Sequence, residues 1–341
     1  MFRLLVLPIL VIAGVGAVLA LTVSWRLGVL AVIIAVLVGA ALLLAHVLAR
    51  HGFAMIEAAT SAVQGWLQGR SDRVSRKLAG ALDGFGADLP LITLFAVAVL
   101  GGLWGFTEVF EHVATGEPLV AIDQWVFDRL QVLRTPVGDH LLVAITELGD
   151  RDVIVAIVVS VASGLVLMRR RWAAIYLVIA AVGSTLFVHA LKMLLHRTRP
   201  RNLYDGVSEF SFPSGHATSS LVVYGFLAIL IARSANPVVR RLVIGFAMTL
   251  VILIAFCRIY LGAHWLSDVV AGMAFGIAWT TLLAIIHLRH DRAPLPGNRL
   301  ATLVAATLVV AGGWHIATTH AADMVRYAPG AAATQNPPAQ R

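Results

Sequence analysis

The chain has 341 residues, of which 59% are hydrophobic and only 13% charged, with a mean hydropathy of +0.87. A water-exposed globular surface needs about 25% charged residues, so a soluble enzyme or a nucleic-acid-binding domain is excluded as the main class. The net charge of +8 sits in short loops between apolar runs, where it fits membrane topology better than a nucleic-acid partner. A single cysteine, Cys257, allows no intrachain disulfide and leaves the redox compartment open.

Taken in order, the chain opens with two apolar runs, 4–24 and 27–49, separated by Trp25-Arg26. Each run is long enough to cross a hydrocarbon core of about 30 Å. The first follows Arg3 and resembles a signal peptide, but the second run begins at once, so an uncleaved hairpin is expected. Residues 50–87 turn polar around Arg70, Arg73, Arg76 and Lys77, with Met55, Ala58, Ala62 and Trp66 at helical spacing upstream. That pattern predicts an amphipathic helix on the membrane surface. A third span covers about 89–109, and 110–150 mixes acids with aromatics, which predicts short interfacial helices ending in ITELGD. Further spans are predicted at about 152–168, 172–195, 217–233, 238–258, 268–288 and 299–318, followed by an Ala- and Pro-rich tail after Tyr327 expected to be disordered. The pairs Gly101-x3-Gly105 and Gly272-x3-Gly276 predict close helix packing.

The fold expected is therefore all-α and polytopic, with about nine transmembrane helices. Its divisions are a hairpin at 1–50, a cytoplasmic amphipathic linker at 51–88, a membrane core at 89–290, an extra span at 291–327 and a tail at 328–341. Basic loops at 70–77, 169–171, 233–241 and 289–292 fall on one side of nine spans, which the positive-inside rule makes cytoplasmic. Residues 192–216 and 258–268 then share the opposite face, although more than 40 residues separate them.

Those two segments concentrate the chemistry. They read KMLLHRTRP from Lys192, FPSGHA from Phe212 and CRIYLGAHWLSD from Cys257. Breaking a phosphate ester requires donors for the non-bridging oxygens, an in-line nucleophile and an acid for the leaving oxygen. Arg199 and Arg258 can each donate paired N–H groups, and Lys192 adds a point charge. The backbone amides of Ser214, Gly215 and His216 are further donors if a helix starts there. His264 and Asp268 are four apart, so on a helical turn the carboxylate can fix the imidazole tautomer and leave the other nitrogen free to attack. His216 is then the candidate acid and base. No metal-ligand spacing is visible, and no metal or other cofactor is expected. His189 reads as a packing residue, His196, Arg197 and Arg201 as headgroup contacts, and Trp265 as an interfacial aromatic. Asp150 is a candidate partner for Arg151.

The three stretches resemble the signature of the type 2 phosphatidic acid phosphatase superfamily, K-x6-R-P, P-S-G-H and S-R-x5-H-x3-D. Here Lys192-x6-Arg199-Pro200, Pro213-Ser214-Gly215-His216 and Arg258-x5-His264-x3-Asp268 stand in that order, with Cys257 where the family usually has Ser. The resemblance covers about 89–288 and implies a six-helix core with His264 as nucleophile, His216 as acid and base, and Asp268 orienting His264. It also implies Lys192, Arg199, Ser214, Gly215 and Arg258 as phosphate contacts. The implied activity is hydrolysis of a lipid phosphate or diphosphate at the periplasmic face of an inner membrane, with undecaprenyl diphosphate ahead of phosphatidate or phosphatidylglycerophosphate. A lipid phosphotransferase and a non-enzymatic anion or lipid transporter are the rival classes. The expected partners are a lipid phosphate and membrane lipids, not nucleic acid.

Overall fold

The computed structural model describes residues 24–47, 53–83, 89–116, 119–204, 206–291 and 295–329, with isolated positions 14, 18 and 293. Among the described residues every element is helical. All but positions 14, 18 and 24 of the predicted span 4–24, and the tail beyond 329, lie outside them.

The elements are α1 (Trp25–Val47), α2 (Phe53–Gln68), α3 (Arg73–Asp83), α4 (Leu89–Thr115), α5 (Leu119–Val132) and α6 (Pro136–Glu147). They continue with α7 (Arg151–Leu167), α8 (Arg171–Leu195), α9 (Gly215–Ser234), α10 (Pro237–Tyr260) and α11 (Leu266–His290). The last, α12 (Gly297–Arg326), runs without a break through a π-helical segment at Leu308–Gly312. Among the described residues seven helices are long and apolar enough to cross a membrane: α1, α4 and α8–α12. The predicted span at 152–168 is α7, which has 17 residues. The polar stretch after α1 folds as two helices, α2 and α3, rather than one, broken at Gly69-Arg70.

Burial is inverted relative to a soluble domain. Trp104, Leu167, Leu186 and Leu194 are exposed on the outer surface, as they are when lipid is the solvent. The protein is an integral membrane protein.

At the centre stands α9, which packs on α8, α10, α11 and α12. Its Phe226, Leu227, Leu230 and Ile231 are almost fully buried in the main core with Leu165, Leu177 and Leu250. Close approach to α11 depends on glycine: a Cβ at Gly272 would lie 2.6 Å from Thr218 Oγ1, and one at Gly276 would lie 2.5 Å from Leu221. In the Gly101-x3-Gly105 pair only Gly105 faces α11, where a Cβ would lie 3.7 Å from Ala274 Cβ. Gly101 faces open space, whereas a Cβ at Gly102 would lie 2.6 Å from the carbonyl oxygen of Ala274 in α11. The α4–α11 seam thus runs through Gly102, where backbone meets backbone.

Three basic loops gather at one end of the bundle. Tyr176 bonds His290 at 2.9 Å, Arg233 donates to the Asp291 carbonyl at 3.1 Å, and Leu295 N–H donates to Ser234 Oγ at 3.2 Å. The 196–214 and 261–265 loops lie at the other end, joined where Ser214 N–H donates to the Asp268 carbonyl at 3.0 Å.

Candidate active site

The turn after α10 is built by Gly262, whose φ of +71° suits a residue without a Cβ, and a Cβ there would meet Arg201 at 2.7 Å. It delivers His264 to the start of α11, with the Ala263 and His264 amides both donating to the Arg258 carbonyl. Asp268 then serves two partners through one oxygen. Its Oδ2 accepts from Trp265 N–H at 2.9 Å, capping the helix, and from His264 Nδ1 at 3.3 Å. With Nδ1 donating to the carboxylate, Nε2 carries the lone pair, and Arg199 Nη1 donates to it at 3.0 Å. Burial, reinforced by Arg199, Arg258 and Lys192, holds the His264 pKa well below the ordinary imidazole value. That shift favours the neutral ring, with its lone pair on Nε2.

Asp268 is held from behind by Arg197, which donates to Oδ1 at 2.6 Å and to Asp123 Oδ2 at 2.7 Å. Asp123, on α5, also accepts from Ser267 N–H at 2.9 Å and Ser267 Oγ at 2.5 Å. Arg197 is therefore a support of the histidine–carboxylate pair rather than the headgroup contact expected from sequence. Arg201 also points inward, donating to the carbonyl oxygens of Tyr327 and Ala328. His196 ends α8 in the left-handed region at φ 47° and packs edge-on against Phe210.

The second histidine, His216, lies in the first turn of α9, whose N-cap is Ser214. Its Nε2 donates to Asp150 Oδ1 at 2.5 Å, which leaves Nδ1 as the nitrogen able to exchange a proton. Asp150 thus faces α9 and not Arg151, because the N-cap geometry of α7 carries no side-chain capping bond that would turn it back. Burial opposes its ionisation, but hydrogen bonds from His216 and His315 and the charge of Arg258 outweigh it and bring the Asp150 pKa to about 2. Asp150 also brings a cluster that no sequence spacing revealed: ligand atoms of Asp150, His315 and Asp323 lie within 4.8 Å of one another.

Lys192, Arg199 and Arg258 surround the two histidines. Lys192 donates to the Phe210 carbonyl at 2.7 Å, and Arg199 to the carbonyls of Ser208 at 2.8 Å and Ala263 at 2.5 Å. Arg258 is 1% exposed. It donates to Tyr327 Oη at 2.9 Å, Thr146 Oγ1 at 3.2 Å and Tyr204 Oη at 2.7 Å, while its Nε is buried without a partner. Among the described residues none of these three cations pairs with a carboxylate. Buried positive charge left in this way favours an anion. Ser214 is the expected donor that is otherwise engaged, because its amide serves Asp268 and its hydroxyl caps α9. Gly215 and His216 carry the first two helix amides, which no intrahelical carbonyl can reach.

These groups line the polar end of a cavity of about 760 Å³ that continues between α7 and α8 along Val155, Val159, Val178, Val182 and Leu186. His189 borders it, with Nδ1 on the Thr185 carbonyl at 2.9 Å. Cys257 lies apart, buried among Leu142, Leu203 and Tyr260, so the departure from Ser falls in apolar packing.

The family model of the PAP2 superfamily matches residues 172–292. Over 170 residues the chain is 30% identical to a decaprenylphosphoryl-5-phosphoribose phosphatase of Mycobacterium tuberculosis, covering 46% of this chain and 82% of that one. The chain belongs to the PAP2 superfamily. A PAP2 relative from Bacillus subtilis, phosphatidylglycerophosphatase B, is 26% identical over 158 residues, covering 46% of this chain and 78% of its own length. The crystal structure of a transmembrane PAP2-type phosphatidylglycerolphosphate phosphatase from Bacillus subtilis shares the fold. It superposes with a TM-score of 0.51 at 23% identity over 56% of this chain and 98% of that one. Asp150, α12 and Tyr327 fall outside the residues matched by the PAP2 model.

Proposed function

We propose that this protein is a lipid phosphatase that works through a phosphohistidine, with the active site on the outer face of a bacterial inner membrane. The observation that carries this is the set of three cations without carboxylate partners, Lys192, Arg199 and Arg258, around a neutral histidine whose Nε2 faces the same cavity. A phosphate dianion would offset most of the charge of these three cations.

In the reaction, His264 Nε2 attacks phosphorus and the bond to the lipid oxygen breaks. The departing oxygen keeps the electron pair and takes a proton from Nδ1 of His216, which enters the step as an imidazolium with its Nε2–H on Asp150. Water then attacks the phosphohistidine while His216 removes its proton, the P–N bond breaks, and phosphate leaves. Asp268 holds the attacking tautomer, Arg197 holds Asp268, and the amides of Gly215 and His216 add donors at a helix start.

The apolar walls from α7 and α8 suit a lipid chain that stays in the membrane while its headgroup enters. The relatives' names support lipid phosphates as the substrate class. Undecaprenyl diphosphate is the first candidate, with phosphatidate and phosphatidylglycerophosphate next. The basic loops favour a cytoplasmic side opposite the site, and α3, with Arg73, Arg76 and Lys77, reads as a surface helix on that side.

The test is phosphate release by detergent-purified protein, with EDTA and no added metal, from undecaprenyl diphosphate, phosphatidate and lysophosphatidate. Release that survives EDTA and disappears in His264→Ala is the expected result. Full activity in a folded His264→Ala variant would falsify the mechanism, and phosphate appearing on an added alcohol rather than in water would make the protein a phosphotransferase.

A further inference from the structure

We infer that His315 of α12 is a positioning residue of the active site, acting through Asp150 on His216. This rests on the phosphatase reading above and adds a part of the site that lies beyond the family-matched residues. Asp150 has two oxygens, and each is held by a different imidazole: Oδ1 by His216 Nε2 at 2.5 Å and Oδ2 by His315 Nε2 at 2.9 Å.

Holding both oxygens matters because of where Asp150 sits. It occupies the N-cap of α7, a position where Asp normally turns its side chain onto the first free amides of its own helix. Here no such bond is made. His315 competes with that local alternative and keeps the carboxylate facing α9. Without it Asp150 is free to cap α7, and His216 loses the acceptor that sets its ring.

The helix that carries His315 is fixed against this spot. The π-helical segment Leu308–Gly312 ends three residues before it, and such wide turns change which face the following residues present. A Cβ on Gly312 would lie 2.7 Å from Leu148 Cδ2, so α12 rests directly on the turn that leads to Asp150. Below, Tyr327 closes the contact, accepting at its carbonyl from Arg134 at 2.6 Å and at its hydroxyl from Arg258 at 2.9 Å. Glu147, Asp323 and Arg258 also bear on Asp150 electrostatically, but among the described residues only the two histidines hydrogen-bond to its carboxylate.

The experiment compares His315→Leu, His315→Gln, His315→Asn, Asp150→Asn and the Asp150→Asn/His315→Leu double variant on short-chain phosphatidate in detergent. His264→Ala is the blank, and each variant's thermal midpoint is recorded. His315→Leu is expected to lose about 10- to 100-fold in kcat with KM little changed. Gln places an amide N–H near the position of Nε2 and restores most of the loss; Asn is too short and does not. The double variant is expected to be no slower than Asp150→Asn, since His315 acts only through that carboxylate. A folded His315→Leu enzyme with wild-type kcat overturns the inference, as does a double variant whose losses multiply. Should His315→Leu fail to fold, equal kcat in the Gln and Asn variants overturns it. A wild-type protein that releases no phosphate overturns the phosphatase reading and this one together, whereas an active wild type with an inactive His264→Ala separates the two.

Discussion

Arg258 donates to Tyr204, Tyr327 and Thr146 and still has Nε unspent. A lysine keeps the charge but has no planar fork to satisfy hydroxyls on two sides and a phosphate on the third. Arg258→Lys is therefore expected to cut kcat/KM by about 100-fold or more, measured on the same lipid as the wild type. Arg197 makes a different prediction. Asp268 and Asp123 are 0% and 2% exposed, so Arg197→Ala leaves two buried carboxylates without their cation. Removing one partner of a buried pair costs about 3–5 kcal/mol, and this variant should lose thermal stability as well as activity. An unchanged melting midpoint would show that water reaches the pair. Glu147 sets a pH dependence: burial first, then Asp323 and Asp150, raise its pKa to about 8. Because the folded value lies above the ordinary 4.5, this group's contribution is complete below about pH 4.5 and lost as pH rises through 8. The melting midpoint should fall between about pH 4.5 and 8, and Glu147→Gln should flatten that fall.

At the scale of elements, the helix seams separate glycines that matter from those that do not. Gly102→Ala would drive a methyl into the Ala274 carbonyl, 2.6 Å away, and should destabilise by about 1–3 kcal/mol. Gly101→Ala meets nothing within 4 Å and should be neutral or stabilising by up to about 1 kcal/mol. Thermal unfolding in detergent distinguishes them; equal midpoints would mean the seam yields. The same pair shows how far sequence reaches. Spacing announced a glycine-mediated contact in α4 but not which glycine faces α11, because rotation about a helix axis is set by the partner. The three stretches of the candidate site were legible because each gathers its polar groups within a few residues: His264 with Asp268, Lys192 with Arg199, Ser214 with His216. Asp123, Asp150, His315 and Tyr327 were not. Each stands alone in its own segment, and its role arises only when α5, α6, α7 and α12 pack around the site. A lone acid before an apolar helix has no local signature that separates a helix cap from an active-site partner.

For the molecule as a whole, the arrangement makes the two ends of the bundle chemically different: arginine-rich loops at one, the histidine site at the other. Cys257, the one cysteine of the chain, is fully buried, so introduced cysteines report on their own positions. A thiol at Asn202, which is exposed near the site, should react with an impermeant maleimide added to intact cells, and one at exposed Arg169 should react only after lysis. The reverse pattern would place the site in the cytoplasm.

The placement of α12 also bears on when activity can begin. The motif residues from Lys192 to Asp268 leave the ribosome before His315 and Tyr327, yet Asp150 and Arg258 are bonded by those two residues. On the proposed mechanism, a nascent chain that has inserted only the family-matched residues carries His264 without the groups that hold Asp150 and Arg258 in place, and turnover is expected to wait until α12 docks.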